Sequence, residues 1–221
     1  MSNTVWFLTG NEGKLSEAKS QLGELGYEVK QLVVPGELLY EPQSGQLEVV
    51  AKSKINQALE FIPGGRDSED MVLVEDAGLF IDSLHGFPGV YSSYVLSTIG
   101  INGILRLLSH LESVDTVSSA KLRSAHFKAV AAMWSAGEIY VGEGVCPGHI
   151  AMESVGENGF GYDPIFIPYD LDVEGTPLEP GLYGDFSTHG IPFGGVESQI
   201  KQKFSHRAKA LKDLFNQLPS A

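Results

Sequence analysis

The chain is an acidic polypeptide of 221 residues, with 15 lysines and arginines against 28 aspartates and glutamates and a formal net charge of −13. This charge argues against a nucleic-acid backbone or an anionic membrane as the main partner, and we expect neither. A hydrophobic content of 43% predicts a soluble globular protein with a substantial core. The single cysteine, Cys146, excludes an internal disulfide and a thiolate metal cluster. Because no signal peptide or membrane-spanning segment is evident, we expect a cytoplasmic protein.

The first half of the chain alternates predicted strands and helices. In chain order they are the strand "TVWFLTG", the helix "GKLSEAKSQLGEL", the strand "YEVKQLVV", the helix "QLEVVAKSKINQALEFI" and the strand "MVLVE". We expect the third strand to end at Glu75 and Asp76. This order predicts an α/β fold with a partly parallel sheet.

The second half begins with two helices separated by Gly100, followed by the long strands "SAHFKAVAAMW" and "EIYVGEGVC" joined by a hairpin turn at residues 135–137. "GHIAM" and "IFIP" are predicted as short strands. Residues 168–195 are rich in proline and glycine and predict a long irregular insert. One closing helix is predicted over "ESQIKQKFSHRAKALKDLFNQL", with an apolar stripe of Ala208, Leu211, Phe215 and Leu218.

A strand-to-helix turn, "TGNEGK" from Thr9 to Lys14, is the first candidate binding site. The N–H groups and the dipole at the start of a helix attract anions, so the segment suits a phosphate. It is not a Walker A loop, because Leu8 and Leu15 occupy the glycine and hydroxyl positions of that motif. The alternative is an ordinary turn with a solvated lysine, and the spacing alone leaves both open.

Two adjacent carboxylates, Glu75 and Asp76, form the second candidate. They follow a buried strand, and open α/β sheets bind ligands at the carboxyl ends of their strands. Carboxylate oxygens suit Mg²⁺, and a carboxylate there could also take a proton from an attacking water. The alternative is a surface turn that these side chains cap. Glu41, in the connection "LLYEPQ", is a further acidic candidate.

The segment "GFGYDPIF", Gly159 to Phe166, is the third candidate. Its paired glycines let the backbone bend and leave Phe160 available to stack on a base. The alternative is a turn that buries its aromatic side chains in the core.

The segment "SHRAKAL" is the fourth candidate. Ser205 is a plausible helix cap, which would bring His206 and Arg207 to the entrance of the helix beside Lys201 and Lys203. The alternative is a helix whose cations face water. The remaining histidines show no metal-ligand spacing, so we expect structural or surface roles for them.

In this order and at these separations, "TGNEGK", "VEDAGLFIDSLHGFPGVYS", "GFGYDPIF" and "SHRAKAL" resemble the inosine triphosphate pyrophosphatase family, and archaeal members in particular. The resemblance extends from about Val5 to Leu214. It implies one nucleotide pyrophosphatase domain over residues 1–221, with an elongated two-lobed α/β fold, a central mixed sheet and a ligand cleft between the lobes. It also implies a homodimer and Mg²⁺-dependent hydrolysis of ITP, dITP or XTP to the monophosphate and pyrophosphate, with Mn²⁺ as a substitute metal.

The resemblance further implies roles for individual residues. Asp76 would be the catalytic base and a metal ligand, Glu41 the second metal ligand, and Glu75 a further candidate ligand. The implied substrate-binding residues are Thr9, Gly10, Asn11 and Lys14 at the triphosphate, Phe160, Gly161, Tyr162 and Asp163 at the nucleoside, Lys201, His206 and Arg207 at the purine edge, and Ala77 near the substrate.

Three features depart from the family pattern. Ala77 stands where many members have Ser or Thr, and the insert at residues 168–195 replaces a shorter segment. Lys201 is assigned by its distance from Ser205, with Lys203 as the fallback. Ala77 and the insert keep open a pyrophosphatase acting on another modified or pyrimidine nucleotide. A nucleotide-binding module without turnover is a separate alternative from a different functional class.

Overall fold

A computed structural model describes residues 4–218 of the chain. The strands are β1 (Thr4–Leu8), β2 (Glu28–Leu32), β3 (Met71–Ile81), β4 (Ser124–Ser135), β5 (Glu138–Ile150) and β6 (Phe166–Pro168). The helices are α1 (Glu12–Glu24), α2 (Leu47–Ala58), α3 (Ser92–Thr98), α4 (Gly100–Leu107), α5 (Thr116–Leu122), α6 (Ser198–Lys203) and α7 (His206–Gln217). No helix between residues 4 and 218 is long and apolar enough to cross a membrane.

The six strands form one sheet in the order β2-β1-β3-β4-β5-β6. β1 pairs in parallel with both β2 and β3, whereas β5 and β6 are antiparallel, so the predicted α/β fold with a mixed sheet is confirmed. Since β2 and β3 lie on opposite sides of β1, the connections through α1 and α2 run in opposite directions across the sheet. Right-handed crossovers then place α1 on one face of the sheet and α2 on the other.

β3 is longer than the sequence predicts. It was expected to end at Glu75 and Asp76, but it continues to Ile81, so the prediction of a strand end there is wrong. β1 does end at this level, because Leu8 pairs with Val74. The two carboxylates are therefore the first residues of β3 beyond the carboxyl end of its parallel neighbour, where ligands of open α/β sheets bind.

The chain divides into two compact units. The first comprises the chain up to Asp76, Ala129–Gly144 and the chain from Arg207 onward, and the second comprises Ala77–Lys128 and Val145–His206. The second unit has a core of buried apolar residues that includes Leu171 and Phe193 of the irregular insert. The insert is therefore anchored in a core, although most of it has neither helix nor strand, as predicted.

Three other predictions at the element level need correction. The closing helix is two helices, because α6 ends at Lys203 and α7 begins at His206. Of the predicted stripe, Leu211 is buried, but Ala208, Phe215 and Leu218 are only partly buried, and Ala210 and Leu214 complete the buried face of α7. "GHI" belongs to the long strand β5, and α5 was not predicted. The predicted hairpin turn between β4 and β5 is confirmed, with Ala136 and Gly137 at positive φ angles of 50° and 90°.

Candidate active site

The turn between β1 and α1 is built around two side chains that satisfy its backbone. Asn11 caps α1, since its Oδ1 accepts a hydrogen bond of 3.1 Å from the Lys14 N–H. Thr9 Oγ1 accepts a hydrogen bond of 3.1 Å from the Asn11 N–H. Gly10 is exposed, and a side chain there would meet open space. The predicted strand-to-helix turn is thus present, with the positive end of a thirteen-residue helix behind it.

The Lys14 side chain extends from this turn to Glu75. Its Nζ donates a hydrogen bond of 3.0 Å to the Glu75 backbone oxygen and lies 3.4 Å from Glu75 Oε1. Arg207 Nε donates a hydrogen bond of 3.1 Å to the same Oε1. Arg207 Nη1 also lies 3.6 Å from Glu17 Oε2. The cations Lys14 and Arg207 and the carboxylates Glu75 and Glu17 therefore form one cluster. The Glu75 side chain in it is only 4% exposed.

Asp76 and Glu41 share a different cation, Lys54 of α2. Lys54 Nζ lies 2.8 Å from Asp76 Oδ1 and 2.6 Å from Glu41 Oε1. Burial by itself lowers the pKa of Lys54, but the attraction of Asp76 and Glu41 outweighs it and raises the pKa above its ordinary value. Among the described residues, Asp76 Oδ2 is buried without a hydrogen-bond partner. A buried acceptor of this kind is suited to a water, a ligand or a cation.

Gln57 holds the loop that carries Glu41. Its Oε1 accepts a hydrogen bond of 2.6 Å from the Tyr40 N–H, and its Nε2 donates one of 2.7 Å to the Tyr40 backbone oxygen. Gln57 lies three residues after Lys54 on α2, hence on the same side of that helix. The loop next to Glu41 is therefore fixed to the helix that supplies the cation.

The residues expected to hold a metal fit Mg²⁺ in part. Within residues 4–218, no group of three or more His, Cys, Asp or Glu side chains is arranged to hold a metal ion. Glu41 and Asp76 supply two carboxylates, and Mg²⁺ in nucleotide-binding proteins commonly takes one or two carboxylates together with substrate phosphates. Glu75 is not brought to this pair, because neighbouring side chains of a strand point to opposite faces of the sheet. Its contact with α1 and the contact of Asp76 with α2 agree with that geometry.

The second unit contains the segment around Phe160. Asp163 Oδ2 accepts hydrogen bonds of 2.7 Å from the Phe160 N–H and 2.6 Å from Lys201 Nζ. Lys201 Nζ also lies 4.7 Å from the centre of the Phe160 ring, a cation–π distance. Gly159 has a φ of +75°, and a Cβ there would collide with the Asp163 carboxylate. The glycine is therefore required both for backbone conformation and for space.

Tyr162 belongs to the core rather than to an open surface. Its hydroxyl donates a hydrogen bond of 2.9 Å to the Ser92 backbone oxygen, and burial raises its pKa to about 12. Gly161, with a φ of +67°, reverses the chain between the partly buried Phe160 and this buried ring. Tyr162 is thus packed in the core, as the alternative expects, while Phe160 is only partly buried.

His206 begins α7 directly after Ser205, as the capping pattern predicts. It is 4% exposed and stacks on Phe127, with ring centres 5.0 Å apart and planes 10° from parallel. Lys203 lies over the Phe186 ring at 5.5 Å, whereas Lys201 contacts Asp163. The geometry therefore favours Lys201 over Lys203 as the lysine of this group.

Known proteins resemble this chain over almost its whole length. The sequence model of the Ham1 family matches residues 5–217. The chain belongs to the Ham1 family. A dITP/XTP pyrophosphatase from Thermococcus kodakarensis is 37% identical over 212 residues, covering 96% of this chain and 95% of that protein. A dITP/XTP pyrophosphatase from Methanopyrus kandleri is 41% identical over 212 residues, covering 94% of this chain and 92% of that protein. The solved Ham1 protein of Staphylococcus aureus has a TM-score of 0.68 at 26% identity, covering 95% of this chain and 94% of that one.

The family resemblance inferred from the sequence is thereby confirmed. The predicted site residues of this Ham1 chain fall into two sets, one in each unit. The set in the first unit consists of Thr9, Gly10, Asn11, Lys14, Glu41, Glu75, Asp76 and Arg207. The set in the second unit consists of Ala77, Phe160, Gly161, Tyr162, Asp163, Lys201 and His206. Arg207 therefore lies in the same unit as the turn between β1 and α1, whereas its neighbour His206 lies in the unit that contains the Phe160 segment.

Sequence reasoning missed three residues of the first set. Lys54, Glu17 and Gln57 stand on helices among other polar residues, and nothing in the sequence distinguishes Lys54 and Gln57 from solvated side chains. Glu17 gives the only usable signal, because it lies three residues after Lys14 and shares its helical face.

Proposed function

We propose that the protein hydrolyses non-standard purine nucleoside triphosphates, namely dITP, XTP and ITP, to the monophosphate and pyrophosphate, as a nucleotide-pool sanitising enzyme. The names of its Ham1 relatives support the substrate class. The observation that carries the proposal is the state of Asp76 Oδ2. This oxygen is buried and has no hydrogen-bond partner among the described residues, and its carboxylate lies beside Lys54 and Glu41. An acceptor in that position is suited to orient a water for attack on phosphorus.

The cations of the first unit would bind the triphosphate, which carries about four negative charges. Lys14 and the N–H groups at the start of α1 supply positive charge and donors, and Thr9 and Asn11 hold the turn in shape. Lys54 adds a second ammonium next to Asp76. Electrostatic stabilisation of this kind is usually the largest contribution to phosphoryl-transfer catalysis.

Asp76 would accept the proton of the water that attacks the α-phosphorus. The new bond joins the water oxygen to the α-phosphorus, and the bond to the α–β bridging oxygen breaks. Pyrophosphate then leaves with the electron pair. Glu41 and Asp76 would hold Mg²⁺, or Mn²⁺ in its place. When bound, such an ion neutralises phosphate charge and lowers the pKa of a coordinated water.

The second unit would bind the purine nucleoside. Phe160 would stack on the base, and Asp163 with Lys201 would fix the nucleoside. Hypoxanthine and xanthine carry an oxygen at C6, which accepts hydrogen bonds from His206 or Arg207, whereas adenine presents an N–H group that would remain unpaired. An unpaired buried polar group costs about 1–3 kcal/mol, enough to disfavour ATP by at least fivefold.

The test is product analysis with ITP, XTP, dITP, GTP and ATP in the presence of Mg²⁺. Pyrophosphate from the first three at a higher kcat/KM than from ATP is the expected result. Orthophosphate as the first product would refute attack at the α-phosphorus, and preferred turnover of a pyrimidine or another modified nucleotide would refute the substrate class. Binding without any turnover would identify a non-catalytic module.

A pair of variants tests the role of Asp76. Asp76→Asn should abolish turnover while the protein remains folded. Asp67→Asn, at an exposed position of the same unit, is the matched control and should keep full activity. Retained turnover by Asp76→Asn would remove Asp76 as the base.

We also propose a cytoplasmic homodimer, without nucleic-acid or membrane partners. The apolar side chains exposed on and next to α3 and α4 support self-association, since Tyr91, Tyr94, Ile99 and Leu107 are each at least 44% exposed. Light scattering coupled to gel filtration should give twice the mass of 23.8 kDa. A single-chain mass at micromolar concentration would refute the dimer.

A further inference from the structure

Glu75 is a buried carboxylate that contacts two cationic side chains of the first unit at once. One of its oxygens, Oε1, lies 3.1 Å from Arg207 Nε and 3.4 Å from Lys14 Nζ. The side chains of Glu75, Arg207 and Lys14 are 4%, 9% and 16% exposed, so water screens these interactions weakly. A carboxylate with this little exposure depends on its cationic partners.

The two cations belong to separate helices. Lys14 lies in the first turn of α1, and Arg207 is the second residue of α7. Under the proposed function Lys14 contacts the phosphates, and Arg207 or its neighbour His206 contacts the purine edge. Because both interact with one oxygen of Glu75, a change at either cation alters the attraction that the carboxylate exerts on the other.

We propose that Glu75 is a positioning residue that couples phosphate binding by Lys14 to the placement of Arg207, and that it is not a metal ligand. This inference rests on the proposed assignment of Lys14 to the phosphates. Arg207 neutralises Glu75 and thereby leaves the Lys14 ammonium available to a phosphate. In turn, a phosphate that binds Lys14 removes one neutralising partner from Glu75, which then holds Arg207 more firmly.

The coupling can be measured with inorganic tripolyphosphate, which has the phosphates of the substrate and no base. Its Kd is determined by calorimetry in EDTA, so that no divalent cation contributes. Arg207→Met should weaken binding about tenfold although the ligand has no group for Arg207 to read, because Glu75 then retains Lys14. Adding Glu75→Gln to this variant should restore the Kd to within about twofold of the original value.

Three further variants make the result specific. Arg66→Met removes an exposed arginine of the same unit, 3.7 Å from Glu60, and should leave the Kd unchanged. Adding Glu17→Gln to Arg207→Met should not restore binding, which separates Glu75 from the other carboxylate near Arg207. Arg207→Lys keeps the charge and should give an intermediate Kd that Glu75→Gln again restores. It serves as the second test where thermal unfolding shows that Arg207→Met is not folded.

The coupling is overturned if Arg207→Met and Arg207→Lys both bind tripolyphosphate as the original protein does, or if Glu75→Gln fails to restore them. Absence of tripolyphosphate binding by the original protein would also overturn it, together with the assignment of Lys14. Because this measurement needs neither a base nor turnover, a protein that binds tripolyphosphate but does not hydrolyse ITP would refute the proposed function alone.

Discussion

Lys54 is the residue that holds the two predicted metal ligands near each other. Its ammonium lies within 2.8 Å of an oxygen of Asp76 and within 2.6 Å of one of Glu41. The same ammonium competes with a divalent cation for these oxygens and adds positive charge next to the proposed phosphate site. Loss of Lys54 should therefore have opposite effects on metal affinity and on turnover.

We predict that Lys54→Gln lowers kcat by about two orders of magnitude or more and lowers the Mg²⁺ concentration that gives half-maximal activity. Pyrophosphate release measured as a function of Mg²⁺ tests both effects. Lys52→Gln is the control, because Lys52 lies on the same helix in an exposed pair with Glu48 and should change neither quantity. An unchanged kcat in Lys54→Gln would contradict a role for this cation in turnover.

His149 makes the stability of the protein depend on pH. Burial, together with the positive charge of Arg123, lowers the pKa of His149 from 6.5 to about 4. Between these values the unfolded chain binds a proton that the folded protein does not, so the free energy of unfolding rises with pH across this range and falls as the pH is lowered. At about 1.4 kcal/mol per pKa unit, the difference amounts to roughly 3 kcal/mol.

We therefore predict that His149→Gln flattens the pH dependence of the free energy of unfolding between about pH 4 and 6.5. Urea unfolding at several pH values measures it, and His110→Gln, at an exposed position, is the control. Parallel pH profiles for the original protein and His149→Gln would contradict the lowered pKa.

The local backbone structure of the candidate site was predictable where residues form a local motif. The turn at Asn11, the glycine at 159 and the helix start after Ser205 follow from the backbone that those residue types allow. Lys54 was not predictable, because its partners come from a loop and a strand that are distant in the sequence. The separation of Glu75 from Asp76 was missed for another reason, since it depends on β3 continuing through both residues.

At the level of elements, hydrophobic periodicity predicted the parallel strands and the first two helices. It did not predict where β3 ends, because Glu75 is buried through ion pairs and therefore does not mark a surface turn.

The buried Arg123 is another residue whose position the hydrophobic pattern does not predict. Its guanidinium donates hydrogen bonds of 2.7–2.8 Å to the backbone oxygens of Leu108, Ile150 and Ala151, which join the end of α4 to the end of β5. No local pattern identifies an arginine as a core residue.

The end of the irregular insert supports the segment before Phe160. Gly194 O accepts a hydrogen bond of 2.9 Å from the Asn158 N–H, and Asn158 Nδ2 donates one of 3.2 Å to Val196 O. Gly156, with a φ of +77°, lies so close to Gly194 that a Cβ would collide with the backbone of that residue. The approach of the two segments thus depends on the absence of a side chain at position 156.

We predict that Gly156→Ala lowers the free energy of unfolding by about 1–3 kcal/mol from overpacking, in addition to about 1 kcal/mol from its left-handed backbone. Gly175→Ala is the matched control, because Gly175 has a φ of +83° and open space around its Cβ position, so only the backbone cost applies. Chemical unfolding of both variants tests the difference. Equal destabilisation would show that the contact with Gly194 relaxes at no cost.

At the level of the whole molecule, the excess of carboxylates should make stability sensitive to salt. With 15 basic against 28 acidic residues, the net charge of −13 repels itself in the compact state. The ion pairs of Glu75 with Lys14 and of Asp76 with Lys54 are largely buried and are screened less than these surface charges. Added salt should therefore relieve more repulsion than it removes attraction.

We predict that raising NaCl from about 10 mM to about 100 mM, which shortens the Debye length from about 30 to about 10 Å, raises the Tm near pH 8 by about 3 °C. Near the pI of 4.8 the repulsion disappears, and the same addition should leave the Tm unchanged or lower it slightly. Calorimetry at the two pH values tests the prediction. Because a general effect of salt on apolar surface would act equally at both, only a pH-dependent rise identifies charge repulsion as the cause. A fall in Tm near pH 8 would instead show that the ion pairs contribute more to stability than the net charge costs.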